Sequence, residues 1–192
     1  MKSIPEIRNQ LRAARRAVDA ETRLANGSMV CDKVLQLDSF KKADRIAAYL
    51  AFDGEVDPMP LMVAAVEQGK QVYLPVIDGK SKPLSFAAWT PTTEQVANRF
   101  KILEPQVPRS EHLTGQNLDL VICPLVGFDQ TRNRIGVGGG FYDRTFEFLN
   151  DPQNGRAVQL VGVAFELQKL ESIEPQTWDV KLDAVVTEAA IY

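Results

Sequence analysis

Residues 134–144 read Arg-Ile-Gly-Val-Gly-Gly-Gly-Phe-Tyr-Asp-Arg, and four of the chain's twelve glycines fall within five positions of that stretch. An apolar run, Asp119 to Val126, precedes it, and a helical pattern, Tyr142 to Leu149, follows directly. Glycine lets a backbone take positive φ and approach a ligand with no Cβ in the way. Free N–H groups at the start of a following helix favour an anion. The stretch reads either as a phosphate-binding loop that opens a helix, or as a glycine-rich turn with solvated Arg134 and Arg144. It is neither of two common nucleotide motifs. The dinucleotide fingerprint needs a glycine three positions after its second glycine, and after Gly136 and Gly138 that position is Phe141. A P-loop ends in Gly-Lys-Ser/Thr, whereas Gly140 is followed by Phe141 and Tyr142.

Strand and helix patterns alternate along the chain. Helical patterns cover about Pro5–Val18 and Ala20–Gln36, with Pro5 in a first turn and Asp19 as a cap. Arg45–Ala51 reads as a strand. Asp57 as N-cap and Pro58 at the first helical position start a helix reaching about Glu67, and Gly69 stops it. Gln71–Val76, Leu84–Trp89, Leu118–Pro124, Val158–Phe165 and Ala184–Thr187 read as further strands. The alternation predicts an α/β fold: a single domain over residues 1–192 with a largely parallel, open sheet flanked by helices. Ligands of such sheets sit beyond the carboxyl ends of the strands. The Gly54-Glu55 turn, Pro124–Phe128 and the glycine loop are expected to meet there.

At 192 residues the chain is long enough for one substantial core. Its formal net charge of −3 argues against general nucleic-acid binding. There is no apolar signal core and no apolar run long enough for a bilayer, so no membrane partner and a cytoplasmic location are expected. Cys31, in a helical pattern, and Cys123, in a strand pattern, read as reduced core residues rather than a disulfide or metal site. His112 is the only histidine and falls in a polar stretch, Arg109 to Asn117, that reads as a surface loop. A histidine-based triad or zinc site is therefore not expected.

Other side chains carry candidate chemistry. Arg8, Arg12, Arg15 and Arg16 share one helix face beside the apolar Ile7, Leu11, Ala14 and Val18. Guanidinium forks there can reach a phosphate chain; by spacing alone, the face reads as solvated. Glu55 lies at the ligand edge with no evident structural duty. It reads as a partner for a polar ring, a metal ligand or a solvated turn acid. Asp143, in the first turn after the glycine loop, either complements the helix dipole or holds Mg²⁺ beside phosphates. Asp179, just before the last strand, is a second carboxylate for that ion or an ordinary loop acid.

The glycine stretch ending in Tyr142-Asp143-Arg144 resembles the signature loop of the 5-formyltetrahydrofolate cyclo-ligases. Further segments agree in order and spacing: Ile7-Arg8 to Arg15-Arg16, Tyr49 to Asp57, Val72 to Pro75, Lys101 to Pro105, Asp119 to Asp129, Val161 to Phe165 and Trp178 to Asp183. The resemblance implies a CoA-transferase-like sheet, related to that of sugar-phosphate isomerases, and an ATP- and Mg²⁺-dependent ring closure. In that reaction 5-formyltetrahydrofolate becomes 5,10-methenyltetrahydrofolate through a phosphorylated formyl group, with ADP and phosphate released. By position it implies ATP contacts from Arg8, Arg134, Ile135, Gly136, Val137, Gly138, Gly139, Gly140, Phe141 and Tyr142. It implies folate contacts from Leu50, Glu55 and Val137 through Phe141, and metal carboxylates at Asp143 and Asp179. Phe52 and Tyr142 are added here as apolar or stacking surface for the pterin, and Arg134 and Tyr142 are the expected catalytic side chains. The partners implied are 5-formyltetrahydrofolate and ATP, bound by a monomer. Many members carry lysine at the positions of Ile4 and Gly139, so this chain lacks those two cations. Two rival readings use the same loop: a sugar-phosphate isomerase needing no ATP, and a non-catalytic folate- or nucleotide-binding module.

Overall fold

Along a strand, successive side chains point to opposite faces, and in the central strands of this chain both sets are apolar. Ile46, Val72, Leu120, Ile122, Val161 and Val163 belong to one core, and Ala47, Tyr73, Val121, Cys123, Leu160 and Val185 to another. Burial on both faces is characteristic of a parallel sheet covered by helices. The computed structural model describes residues 2–79, 81–98, 102–151, 153 and 158–192. Its strands in chain order are β1 (Arg45–Ala47), β2 (Gln71–Val76), β3 (Ser85–Trp89), β4 (Gln95–Ala97), β5 (Leu103–Pro105), β6 (Leu120–Pro124), β7 (Gly127–Asp129), β8 (Arg134–Ile135), β9 (Gln159–Val163), β10 (Lys169–Leu170) and β11 (Ala184–Val186).

Six of these form the main sheet, in the order β11-β9-β6-β1-β2-β3. Every pairing in it is parallel except β2 with β3. Ile46 lies opposite both Val72 and Leu120, and Ile122 lies opposite Val161. The chain builds outward from β1 to β2 and β3, then returns to the other side of β1 for β6, β9 and β11. The order therefore reverses between β1 and β6, and the crevice beyond their carboxyl ends is where such sheets bind ligands.

The helices are α1 (Ile4–Ala17), α2 (Ala20–Gln36), α3 (Asp38–Lys42), α4 (Met59–Glu67) and α5 (Phe141–Phe146). Val30 and Val34 of α2 and Leu61, Met62 and Ala65 of α4 cover the first core. Phe146 of α5 enters the second. Leu11 of α1 packs on Val126, Ile135 and Ile173, beside the small sheet β10-β7-β8. Asp19 caps α2 as expected, its Oδ1 accepting the Thr22 N–H at 2.8 Å. Both cysteines are free and buried, also as expected. Burial pushes the thiol of Cys31 up to about 11 and that of Cys123 to about 12, so neither is a ready nucleophile.

Several expectations need correction. The strand expected over Arg45–Ala51 ends at Ala47. Beyond it the chain closes on itself, the Tyr49 hydroxyl donating to the Val56 carbonyl at 2.6 Å. Pro58, not Asp57, sits at the cap position of α4, although Asp57 Oδ1 still accepts the Met59 N–H at 3.0 Å. The helical pattern after the glycine loop splits, α5 giving way to a 3-10 turn at Glu147–Asn150. His112 is half-buried rather than a surface-loop residue, its ring lying between the Ser85 hydroxyl at 3.0 Å and the Val107 carbonyl at 3.1 Å. The family-like segment at Lys101 begins outside the described residues.

Gly162, in β9, shows how tightly the sheet is packed against its covering loops. A Cβ there would lie 2.7 Å from both Leu125 Cδ2 and Leu182 Cδ1. Both leucines are buried and have little room to yield. Gly162→Ala is expected to cost about 1–3 kcal/mol of stability, a fall in Tm of roughly 2–10 °C. Thermal unfolding measures it; an unchanged Tm would show that the two leucines repack freely.

Candidate active site

The glycine loop is delivered by a hairpin. β7 and β8 pair antiparallel, Phe128 opposite Arg134. Their connection is held by Asp129, only 2% exposed, whose carboxylate accepts the N–H groups of Thr131, Asn133 and Ile173 at 2.9–3.1 Å. Burial opposes its charge, but these bonds outweigh it and hold the carboxyl below the usual range. The sequence reading missed this residue; its signal was the Asp129–Asn133 turn chemistry.

Within the loop, Gly138 has φ +103° and Gly140 φ +61°, both in the region that glycine enters at least cost. The carbonyl side is pinned. Arg8 Nε donates to Gly136 O at 2.8 Å, and Arg144 Nη2 donates to Gly139 O at 2.7 Å. The Arg8 guanidinium also lies 3.6 Å from where a Gly138 Cβ would be. The N–H side is open: none of the backbone N–H groups of Gly136 to Gly140 has a partner among the described residues.

Residues 136–140 line a cavity of about 350 Å³ together with Arg8, Arg134, Tyr142, Asp143, Trp178 and Asp179. The side chain of Arg134 is 7% exposed and donates from Nη2 to Asp143 Oδ1 at 2.5 Å. Its Nε is buried with no partner among the described residues. Tyr142 lies under that guanidinium, 6.0 Å from ring centre to Cζ. Burial, then the Cys123 thiol and the Glu55 charge, push the Tyr142 hydroxyl well above its usual value, with Arg134 opposing. It is a neutral donor at physiological pH. Asp143 Oδ1 also accepts the Val180 N–H at 3.3 Å, and Asp179 Oδ2 accepts the Gln176 N–H at 2.9 Å. Each carboxylate keeps its other oxygen without a partner among the described residues. The residues expected at the nucleotide and the metal thus come together on one cavity.

Leu50, Phe52 and Glu55 do not line that cavity. They occupy the turn after β1. Leu50 packs half-buried on the first core, while Phe52 is 72% exposed. Glu55, whose side chain is 10% exposed, accepts the Phe52 N–H at 3.1 Å and lies 3.7 Å from Arg15 Nη1. It has a structural duty that the sequence did not suggest. Burial pushes its carboxyl up; Arg15 and the Phe52 N–H pull down, and the balance remains above the usual value. Glu55 raises the hydroxyls of both Tyr49 and Tyr142, so the turn and the cavity share one electrostatic environment.

The arginine face of α1 is solvated only in part, the Arg16 side chain being 57% exposed. Arg15 is 1% exposed. Its Nε donates to Asp53 O at 3.0 Å, after β1, and its Nη1 to Leu125 O at 3.3 Å, after β6. The Asp53 carboxylate takes Arg12 Nε at 2.7 Å, Arg15 Nη2 at 3.5 Å and Arg16 Nε. Arg16 foremost, with Arg12, holds that carboxyl low against its burial. Of the four arginines, Arg8 is the one bonded to the glycine loop.

Comparison with known proteins gives one family. The model of the 5-formyltetrahydrofolate cyclo-ligase family matches residues 1–188. The 5-formyltetrahydrofolate cyclo-ligase of Escherichia coli strain K12 is 38% identical over 183 residues, covering 95% of this chain and 98% of its own. That of Haemophilus influenzae is 36% identical, over 92% of this chain and 93% of its own. The solution structure of Aquifex aeolicus 5,10-methenyltetrahydrofolate synthetase superposes with a TM-score of 0.81 at 29% identity, covering 98% of this chain and 91% of that one. A Mycoplasma pneumoniae synthetase, at 20% identity and a TM-score of 0.76 over 97% of this chain and 99% of its own, agrees in fold.

Two outcomes follow from the arginine cluster. Asp53 has φ +56°, which asparagine also tolerates, so Asp53→Asn keeps the turn and removes the charge. It leaves Arg15 buried with a weakened partner set, and the expected loss is about 3 kcal/mol in denaturant unfolding. Wild-type stability would mean that the backbone carbonyls alone satisfy Arg15. Glu55 has the opposite sign. A carboxyl raised in the folded state favours folding while protonated and costs stability as pH climbs through the raised value. Glu55→Gln should match wild type below about pH 4 and gain on it toward about pH 7. A Tm difference that does not change with pH would remove this account.

Proposed function

The chain belongs to the 5-formyltetrahydrofolate cyclo-ligase family and is an enzyme of that class. On that premise we propose that it closes 5-formyltetrahydrofolate to 5,10-methenyltetrahydrofolate at the expense of ATP, in the crevice between β1 and β6. One observation carries the reading: residues Gly136–Gly140, whose N–H groups have no partner among the described residues, line a single cavity with the guanidinium-bearing Arg134. Both are donors to a polyphosphate.

The chemistry asks for positioning and charge stabilisation rather than a nucleophilic side chain. The formyl oxygen attacks the γ-phosphorus and ADP leaves, giving an imino-phosphate. N10 then forms a bond to the formyl carbon, the carbon–oxygen bond breaks, phosphate departs and N10 loses its proton. The loop N–H groups and Arg134 hold the transferring phosphoryl, with Arg8 keeping the loop in shape. Tyr142, held neutral, donates a hydrogen bond and gives the pterin an apolar surface. Glu55 and Leu50 hold the folate from the β1 side with Phe52 over it, and Val137 to Phe141 contact both substrates.

Mg²⁺ takes one or two carboxylates together with phosphate oxygens. Asp143 and Asp179, each with one oxygen to spare on the cavity wall, fit an ion that arrives with the nucleotide. Bound there, the ion neutralises phosphate charge. Among the described residues no cluster of three or more His, Cys, Asp or Glu side chains suits a resident metal.

The whole chain is read as one cyclo-ligase domain, supported by the match over residues 1–188. Its run of five parallel strands supports a CoA-transferase-like sheet. The reading places a monomer in the cytoplasm, acting on small molecules rather than nucleic acid or membrane. The net charge of −3 supports the exclusion of nucleic acid, and among the described residues no helix is long and apolar enough to cross a membrane.

Purified protein with 5-formyltetrahydrofolate and ATP–Mg²⁺ is expected to form methenyltetrahydrofolate and ADP in equal amounts. Gly138→Ala forces a side chain to φ +103° beside Arg8 and should lower turnover on the order of 10²-fold, with Tm close to wild type. Product without ATP consumption, or a fully active Gly138→Ala, overturns the reading.

A further inference from the structure

The chain has two tryptophans, and they are placed oppositely. Trp89 is 3% exposed in the first core, whereas Trp178 is 65% exposed on the wall of the glycine-loop cavity. No ring or cation packs on Trp178 among the described residues. An indole left at the rim of a polar cavity exposes a large apolar surface without a structural return.

The segment that carries it is firmly tied. Asp179 N–H donates to Gln176 O at 3.1 Å, and Gln176 N–H donates back to Asp179 Oδ2 at 2.9 Å. Two residues on, Val180 N–H reaches Asp143 Oδ1, the same oxygen that Arg134 holds. Trp178 is therefore presented by a closed turn docked against the start of α5, next to the phosphate-binding side of the loop. The same cavity is lined by the carboxylates Glu174 and Asp179 and by the guanidinium groups of Arg8 and Arg134.

We propose that Trp178 is the stacking platform for the purine ring of the nucleotide co-substrate. This rests on the nucleotide reading of the cavity given above. The purine is favoured over the pterin because Trp178 shares its cavity with the loop N–H groups, Arg134 and Asp143. The Leu50–Glu55 turn is not on that wall. A rim ring that holds the substrate away from the reacting atoms serves ground state and transition state alike, so it sets KM and leaves kcat alone.

Calorimetry with ADP and Mg²⁺ tests it. Trp178→Ala should weaken ADP on the order of tenfold, the usual worth of a base–aromatic stack, and Trp178→Phe should recover most of the loss. Inorganic tripolyphosphate, which has no ring, should bind wild type and Trp178→Ala alike. ADP should quench tryptophan emission in the wild type and not in Trp178→Phe. In turnover, Trp178→Ala should raise KM for ATP with kcat nearly unchanged. ADP binding indifferent to Trp178→Ala overturns the proposal and leaves the nucleotide site standing. Loss of affinity for 5-formyltetrahydrofolate instead assigns the ring to the other substrate and also overturns it. A wild-type protein that takes up no ADP removes the nucleotide reading and the platform together.

Discussion

A buried guanidinium holds the ligand edge of this sheet together. Arg15 donates to the Asp53 carbonyl after β1 and to the Leu125 carbonyl after β6. Those are the two strands between which the strand order reverses, so one side chain bridges the crevice floor. An arginine at 1% exposure survives only with its charge and donors answered. Asp53, Glu55 and two carbonyls answer them. α1 is fixed on the sheet by this, and Arg8, two helical turns before Arg15, is thereby aimed at the Gly136 carbonyl. The shape of the glycine loop is thus set by packing some distance from the loop itself.

That loop divides its two polar edges. Arginines pin the carbonyls of Gly136 and Gly139, and the N–H groups are left over. Donors fixed before the ligand arrives need not reorganise when charge develops on it, which is the general source of electrostatic catalysis. The same logic explains the positive φ at Gly138 and Gly140. A loop that turns both edges outward in so few residues must leave the ordinary allowed regions. Asp129 bears the other end of the load by holding the β7–β8 turn from which the loop springs.

Legibility in the sequence follows the strength of each local signal. The helix Ala20–Gln36 and the strand Gln71–Val76 were read to the residue, the helix because Asp19 caps it and the strand because it is an apolar run set off from α4 by Gly69. The two- and three-residue strands β7, β8 and β10 were invisible, since no period fits in so short a run. The glycine loop, Asp143 and Asp179 were legible as a group, and they do meet in one cavity. The arginine face was misread because a helical wheel shows which residues lie together but not what lies opposite. Asp53, some 37 residues away from Arg16, is a tertiary partner no local pattern announces. Glu55 failed the same way: its bond to the Phe52 N–H depends on the left-handed Asp53-Gly54 turn between them.

Two opposite charges of the cavity satisfy each other. Arg134 and Asp143 neutralise each other at 2.5 Å, so neither presents a full uncompensated charge at low solvent exposure. On the proposed reading, a polyphosphate that drew Arg134 toward itself would free a carboxylate where a cation accompanying the phosphate would need one. A site built from Arg134 alone would attract any phosphate; one built from Asp143 and Asp179 alone would repel the nucleotide. On the proposed reading, the pairing of the two signs, with the neutral Tyr142 hydroxyl beside them, would suit a metal–nucleotide complex better than a bare anion. The cyclo-ligase chemistry asks for that charge balance at the moment the phosphoryl group moves.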